Sequence, residues 1–337
     1  MSGRFLAAVI SLVSLATLPA AGQAPASARQ VKATPPPKTW TPPRTPYGDP
    51  DLQGLWTNAT VTPFERPGQF AGKDVLTEEE AAEFEKTTNQ TRDADRRDAR
   101  GTDADVALAY NQVWYDRGTK VIPTRRTSLV VDPPDGRVPP LTPDAQRRVD
   151  ARAAARRASP AGGPEDRSLA ERCILWPTAG PPMVPSGYNN NYQILQTQDY
   201  VAILVEMIHD VRIIPLDRRP HPSQTIRQWL GDSRGHWDGN TLVVETTNFT
   251  NKTNFRGSDE NLRLTERFTR VDADTINYEF TVEDPSSFTK SWTAAIPMVK
   301  TQGPIFEYAC HEGNYGMTNL LSGARAEEKA AAEGKKR

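Results

Sequence analysis

The feature that most constrains the fold of this chain is a series of short strand-like segments, separated by turn residues, that begins at Tyr192. About seven or eight of them follow at a spacing of roughly 8–12 residues, which is typical of a β-sandwich or β-barrel. Their connections are too short for parallel crossovers, so the strands are expected to pair mainly antiparallel. The segments are 192–196, 200–208, 211–216, 241–249, 262–271, 275–282, 291–300 and 305–311.

The chain before these segments contributes helices. Thr77 and Glu80 form a capping box at the start of one predicted helix. Thr142, followed by Pro143, opens a second helix that runs to about Ala158. The predicted fold class is therefore mainly β: an antiparallel barrel or strongly curved sheet with a few peripheral helices from the N-terminal half.

One strand-like segment carries a carboxylate on its apolar face. Along 262–270 the residues that alternate toward the expected interior include Glu266. A buried carboxylate must be paired, or its pKa must rise. A glutamate with a raised pKa would be a suitable general acid or base, whereas a structural one would form a salt bridge, for which Arg212 is available. Both interpretations stay open, and Glu206 also interrupts an apolar strand.

The N-terminus has the pattern of an export signal. Arg4 precedes the apolar stretch 5–18, and small residues follow at 20–24. The stretch is too short to span a bilayer and ends in residues that signal peptidase prefers. We therefore expect a signal peptide over 1–22 and a periplasmic or secreted protein. No other apolar run approaches the length of a membrane span, so no stable membrane insertion is expected.

Proline is unevenly distributed and marks the domain boundaries. The chain contains 29 prolines in 337 residues, and the polar segment 23–48 is rich in them, as expected of an extended arm. A single β-rich domain with a helical N-terminal half is predicted over 49–323, followed by a charged tail over 324–337.

The chain has two cysteines, Cys173 and Cys310. In an oxidising compartment a single disulfide between them is expected, and it would tie the middle of the chain to its last predicted strand. Two buried free thiols are the alternative.

Two resemblances to known families follow from short motifs. Gly54 and Trp56 form a Gly-x-Trp motif at a predicted first strand, which resembles the start of lipocalins and related calycin barrels and implies a calycin-like barrel. A long segment with two predicted helices separates this motif from the strand-rich region, unlike a simple lipocalin. The segments 49–54, 76–81, 126–129, 188–194 and 307–314 resemble a family of uncharacterised exported proteins of soil bacteria. That resemblance covers most of the mature chain and implies one self-contained unit without an assigned activity.

Charge and motifs exclude several classes of function. The net charge is −1, which argues against a protein that binds nucleic acid by bulk charge. The chain has no Walker loop, Gly-x-Gly-x-x-Gly, Gly-x-Ser-x-Gly or His-Glu-x-x-His motif. We expect a small-molecule ligand or substrate as the partner, with no cofactor and no bound metal, and the sequence does not indicate an oligomeric state.

The histidines are candidates for acid–base chemistry. His209 precedes Asp210 and His311 precedes Glu312, and a neighbouring carboxylate can orient an imidazole as a general base. Each could equally be structural, His209 in a hairpin turn and His311 at a strand end beside the disulfide. The other two are His221, in a proline-flanked loop that could border a pocket, and His236, predicted in a surface turn over 235–240.

A run of amides between two phenols is the strongest candidate for ligand binding. It supplies many hydrogen-bond donors and acceptors, although asparagine also favours plain turns. Tryptophans such as Trp176 could add stacking platforms for sugars or aromatic rings. The predicted binding residues are Tyr188, Asn189, Asn190, Asn191, Tyr192, His221 and Trp176.

These residues suggest three functional hypotheses. The first is an exported, cofactor-independent acid–base enzyme, a lyase, hydratase or isomerase, acting on a small polar or aromatic compound such as a glycoside. In it His209 or His311 is the base, Glu266 or Glu312 the acid or orienting group, and Arg212 the anion stabiliser. The second is a periplasmic small-molecule-binding protein of calycin type without catalysis, and the third is a structural or envelope interaction protein. A histidine and Glu266 in one pocket would favour the enzyme, and an apolar pocket that no histidine reaches would favour binding. The absence of an enclosed pocket would favour the third hypothesis.

Overall fold

The structure, a computed structural model, describes residues 40–96, 101–102, 111–253 and 255–334. The predicted signal peptide and most of the proline-rich arm lie outside the described residues. The helices are α1 (Glu78–Arg92), α2 (Pro143–Ala158) and α3 (Tyr315–Gly334). The strands are β1 (Gly54–Thr57), β2 (Val130–Asp132), β3 (Asn191–Gln196), β4 (Tyr200–Val205), β5 (Val211–Pro215), β6 (Asp232–Asp238), β7 (Thr241–Thr247), β8 (Arg263–Arg270), β9 (Thr275–Glu283) and β10 (Trp292–Lys300).

The strands form one antiparallel sheet in the order β5-β4-β3-β1-β10-β9-β8-β7-β6, with β2 paired to β10 beside this path. The first and last strands, β5 and β6, lie against each other without a hydrogen-bonded ladder among the described residues. The sheet is therefore a nearly closed barrel, and the predicted mainly β, antiparallel barrel with peripheral helices is confirmed.

The barrel interior is packed with side chains that alternate along each strand. β9 places Ile276, Tyr278, Phe280 and Val282 inside, all fully buried, as its sequence alternation predicts. Each large apolar side chain removed from water contributes roughly 1.5–3 kcal/mol. The interior is thus a core and not a channel, with Trp56 from the predicted first strand fully buried in it as well.

Local sequence signals fix the starts of two helices. The Thr77 hydroxyl accepts a hydrogen bond from the Glu80 amide at 3.2 Å, and the Glu80 carboxylate accepts one from the Thr77 amide at 2.9 Å. α2 begins with Pro143 after the Thr142 cap. Both predicted helix starts are confirmed. Across the described residues we find no helix with the length and apolar character that a membrane crossing needs.

Two local predictions are wrong. Residues 305–311 form no strand, because β10 is already flanked by β1, β2 and β9, and the chain leaves the sheet after Lys300. Residues 235–237 are part of β6 and not of a turn. Gly235 is needed there for another reason: a Cβ atom at this position would lie 2.8 Å from Ile214 Cγ2 on β5, so the glycine permits the close approach of the two end strands.

Candidate functional site

A cavity of about 1350 Å³ lies beside the barrel, where the start of β3 and the end of β4 meet the chain that follows β10. The segment 167–176 and the first turns of α3 complete its walls, and α3 contributes Met317 and Leu320. Trp114 and Phe306 also line the cavity and are 64% and 65% exposed. The cavity, called the side pocket below, is therefore open to ligands from solvent.

A disulfide fastens one wall of the side pocket. Cys310, which lines the pocket, is bonded to Cys173, so the predicted disulfide is confirmed. It joins the chain after β10 to the segment before β3, across 137 residues of sequence. The start of α3 follows Cys310 closely, and Arg325 on α3 donates hydrogen bonds to the carbonyl oxygens of Ala161 and Gly162. The disulfide and these hydrogen bonds fix the chain after β10, including α3, against the segment that precedes β3.

Three aromatic rings form one face of the side pocket. The ring centroids of Trp176 lie 6.1 Å from those of Tyr188 and 6.2 Å from those of Tyr308. The two tyrosine rings are 6.4 Å apart and nearly parallel, at 16°. All three side chains are half-buried and line the cavity. This aromatic wall offers π-faces against which a ring or a cationic group can pack.

Glu206, the residue after β4, supplies a buried carboxylate to the same pocket. It is 3% exposed, and its backbone amide is held by the Asn191 carbonyl. One carboxylate oxygen accepts from the Asn191 side-chain amide at 2.7 Å and from its backbone amide at 3.3 Å. The other oxygen accepts from the Phe306 amide at 3.0 Å. Glu206 therefore ties β3 to the chain after β10 while facing the cavity.

The predicted amide run divides between the side pocket and the fold. Asn189 and Asn191 line the pocket together with Tyr188 and Trp176. Asn189 has a left-handed backbone with φ of 54°, which asparagine tolerates. Asn190 is buried and does not line the pocket. Its side-chain amide donates to Asp116 and to the Ser186 carbonyl and accepts from the Ser186 backbone amide.

The second phenol of the run, Tyr192, lies inside the barrel and not in the side pocket. Its hydroxyl accepts a hydrogen bond from Asn58, and burial raises the pKa of the phenol above its ordinary value. Of the seven predicted binding residues, four therefore meet in the side pocket: Tyr188, Asn189, Asn191 and Trp176.

Glu266 and Arg212 meet inside the barrel. Glu266 has no exposed surface, and the two Arg212 terminal nitrogens each donate to one of its oxygens, one of them at 2.9 Å. Arg212 also donates to Ser233 at 3.1 Å and to Thr246 at 3.0 Å. The side chain thus reaches from β5 to β6 and β7 and bridges the seam of the barrel.

Tyr278 completes this interior network. Its hydroxyl donates to Glu266 at 2.8 Å and accepts from the Met183 amide at 2.9 Å. Burial and the nearby Glu266 carboxylate raise the pKa of the Tyr278 phenol well above its ordinary value. Every charged group here has a partner of matching chemistry, as buried ions require, and none of the three side chains lines the side pocket.

The histidines are spread over three places. His311 and Glu312 are exposed and follow Cys310 directly, next to the side pocket but not in its lining. His209 belongs to the short 3₁₀ helix Met207–His209 after β4, and its side chain is outside the described part of the structure.

His221 and His236 line a separate cavity of about 380 Å³ on the outer face of β6. There His221 Nδ1 is 2.6 Å from an oxygen of Asp232, whose carboxylate also accepts two hydrogen bonds from Arg234. Among the side chains that the structure describes, no group of three or more metal-ligating residues comes together.

Sequence reasoning did not place several pocket residues in a site. Glu206 was noted only as a charge in an apolar strand. Phe306 and Tyr308 were assigned to a predicted strand and not to a site, and Asp116 was not singled out. A carboxylate at the end of a strongly apolar strand is the one signal that could have marked this position. The aromatic wall depends on a non-local contact between residues more than a hundred positions apart, so no local pattern indicates it.

Comparison with known proteins adds no relative. No model of a known protein family matches this chain, and no curated protein matches it. The resemblances to calycin barrels and to exported proteins of soil bacteria therefore stay predictions. The geometry of the side pocket is the main basis for inferring a function.

Proposed function

We propose that this protein is a small-molecule-binding protein whose side pocket takes up compounds that combine a ring or apolar part with polar groups. One observation carries the proposal: the aromatic wall and the hydrogen-bonded pair of Glu206 and Asn191 line the same open cavity. Ligand pockets typically combine apolar and aromatic lining with a few fixed polar groups that orient the ligand. The cavity volume, about 1350 Å³, is sufficient for a compound of the size of a glycoside.

The geometry supports binding better than acid–base catalysis. Glu266 is sealed inside the barrel and paired with Arg212, so a substrate would have to displace the core to reach it. No histidine lines the side pocket among the side chains that the structure describes. The acid–base roles of His209, His311, Glu312, Glu266 and Arg212 stay predictions.

Export of the protein is part of the proposal. The basic and apolar N-terminal pattern favours secretion, and the disulfide favours an oxidising compartment. Both support a binding protein that works in the periplasm or outside the cell and meets compounds of plant or soil origin there.

The test is a ligand screen on the oxidised protein without its first 22 residues. A library of glycosides and small aromatic compounds is screened by thermal shift, and hits are measured by calorimetry. We expect hits whose affinity falls at least about fivefold in Trp176→Ala and Tyr308→Ala, since stacking on one aromatic ring contributes roughly 1 kcal/mol or more. The matched control is Trp229→Ala, because Trp229 is partly exposed and does not line the pocket.

Two outcomes would contradict the proposal. Hits that bind Trp176→Ala and Tyr308→Ala as tightly as the native protein would show that the ligand site lies elsewhere. Mass spectrometry of the incubated hits is the second readout: turnover that disappears in His209→Ala or His311→Ala would replace the binding function by the acid–base enzyme.

A further inference from the structure

Glu206 is a buried carboxylate to which no described side chain supplies a counter-charge. Among the side chains that the structure describes, its partners are the Asn191 and Phe306 N–H groups, and no arginine, lysine or histidine forms an ion pair with it. A carboxylate has about four acceptor positions, and these amides occupy three. A buried charge is costly until a cation or further donors compensate it. The side pocket is the place from which such a group can approach.

The charged side chains of the pocket lining are mostly acidic. They are Arg167, Asp116, Glu171, Glu206 and Glu307. Arg167 is already paired with Glu171 and with the Pro160 carbonyl. Within the described lining the remaining carboxylates have no ion-pair partner, so the pocket attracts positive charge.

The aromatic wall favours the same kind of ligand. A cation over the face of tryptophan or tyrosine, within about 6 Å of the ring centroid, is attracted by the ring quadrupole. Trp176, Tyr188 and Tyr308 present three such rings with centroids 6.1 to 6.4 Å apart. Arg117 over the Tyr115 ring, at 3.8 Å from its centroid, shows that the neighbouring surface already accommodates this contact.

We infer that the ligand of the side pocket is an organic cation, an ammonium compound whose positive group lies between Glu206 and the aromatic wall. This inference rests on the proposed binding function and adds the charge of the ligand to it. A neutral sugar or phenol would fill the same volume and could donate a hydrogen bond to Glu206, but it would bring no positive charge to the carboxylate.

The test compares ligands of the same shape that differ in charge. The first pair is choline and its neutral isostere 3,3-dimethyl-1-butanol; the second is tyramine and its neutral isostere tyrosol. Affinities are measured by calorimetry on the oxidised protein at constant ionic strength. We expect a member of the cationic set to bind at least about tenfold more tightly than its neutral isostere, the size expected for a desolvated cation–π contact beside a carboxylate.

Variants assign the preference to Glu206. Glu206→Gln keeps the shape and removes the charge, and it is expected to abolish most of the difference within each pair while tyrosol binding changes little. The control Glu283→Gln removes one charge from an exposed position at the end of β9 and is expected to keep the preference. Circular dichroism of each variant checks that it is folded.

The outcomes separate the inference from the proposed function. Equal affinity within both pairs, or tighter binding of the neutral members, overturns the cation inference while pocket binding stands. A preference for cations that is kept in Glu206→Gln also overturns the cation inference, because a group other than Glu206 would then recognise the positive charge of the ligand. If none of the four compounds binds and the ligand screen finds only neutral hits, the cation inference fails but the proposed binding function holds. A screen that finds no ligand of the side pocket overturns both.

Discussion

Two buried glutamates of this protein, Glu266 and Glu206, have opposite surroundings. Glu266 lies in the closed interior with 0% exposure, where the Arg212 guanidinium neutralises its charge and the Tyr278 hydroxyl donates a further hydrogen bond. Glu206, with 3% exposure, faces an open cavity, and only amide N–H groups among the described partners bind it. The sequence presents both in the same way, as a charge within an apolar strand segment.

The difference teaches how to distinguish a structural carboxylate from a functional one. A carboxylate whose charge is neutralised by the protein has no remaining capacity for a ligand, and its removal damages the fold. A carboxylate held in position by neutral donors keeps its charge available to whatever enters the pocket. Substitutions at the two sites should therefore differ in their effects on stability and on ligand binding.

The largest effect is expected for Glu266→Gln. The change leaves the buried Arg212 guanidinium without its counter-charge, and breaking a buried ion pair costs about 3–5 kcal/mol. The free energy of unfolding is measured by urea titration followed by circular dichroism. The double variant Glu266→Leu with Arg212→Met is the control, and it is expected to be more stable than Glu266→Gln. A Glu266→Gln variant as stable as the native protein would contradict the contrast.

Removal of the disulfide is the next largest perturbation, and it acts on the side pocket. Replacing both Cys173 and Cys310 by serine is expected to lower the free energy of unfolding by about 2–4 kcal/mol. Because the bond holds the wall after β10, ligand affinity is expected to fall while the far-UV circular dichroism of the barrel is kept. Unchanged affinity in the serine variant would show that the wall is fixed without the bond.

Alkaline pH tests the closed interior. The pKa values of the buried phenols Tyr192 and Tyr278 are raised by burial. Below pH 10 both phenols are neutral in the folded and unfolded states, and their contribution to stability is fully present. Above it the unfolded chain loses protons that the folded state keeps, so the free energy of unfolding falls by about 1.4 kcal/mol per pH unit for each tyrosine.

The variant Tyr278→Phe assigns one part of this slope. Above pH 10 the free energy of unfolding of this variant is expected to fall less steeply with pH, by about 1.4 kcal/mol per pH unit, which corresponds to one proton. The remaining slope would come from Tyr192. The measurement is a series of urea titrations between pH 9 and 11. A variant that keeps the full native slope would show that Tyr278 does not titrate as its burial requires.

The smallest effect on stability is expected for Glu206→Gln. No described cation is left unpaired by this change. One acceptor oxygen becomes an N–H donor, so a hydrogen bond from Asn191 or Phe306 is lost, at a cost of about 1–3 kcal/mol. The same urea titration that is used for Glu266→Gln checks it. A loss as large as that of Glu266→Gln would mean that Glu206 has a structural charge partner and would remove the basis of the cation inference.

Features that depend on neighbours in sequence were predictable. The caps of α1 and α2 are local hydrogen bonds within three or four residues, and the alternation in β9 follows from the period of a strand. The disulfide was predicted from the two cysteines together with the export-like pattern of the N-terminus. The absence of a strand at 305–311 was not predictable, because the segment has strand-like composition but no free sheet edge beside it.

The mainly β class, the helix starts and a short list of polar residues in apolar surroundings could be derived from sequence patterns, and the disulfide was the favoured pairing state. Which of these residues meet depends on the folded chain. It paired Glu266 with Arg212 across the barrel seam, placed Tyr192 in the core, and brought Trp176, Tyr188 and Tyr308 together beside Glu206. Charge compensation and ring packing are non-local interactions. The residue type determines which interactions a side chain can form, and the closed sheet determines which partners lie within reach.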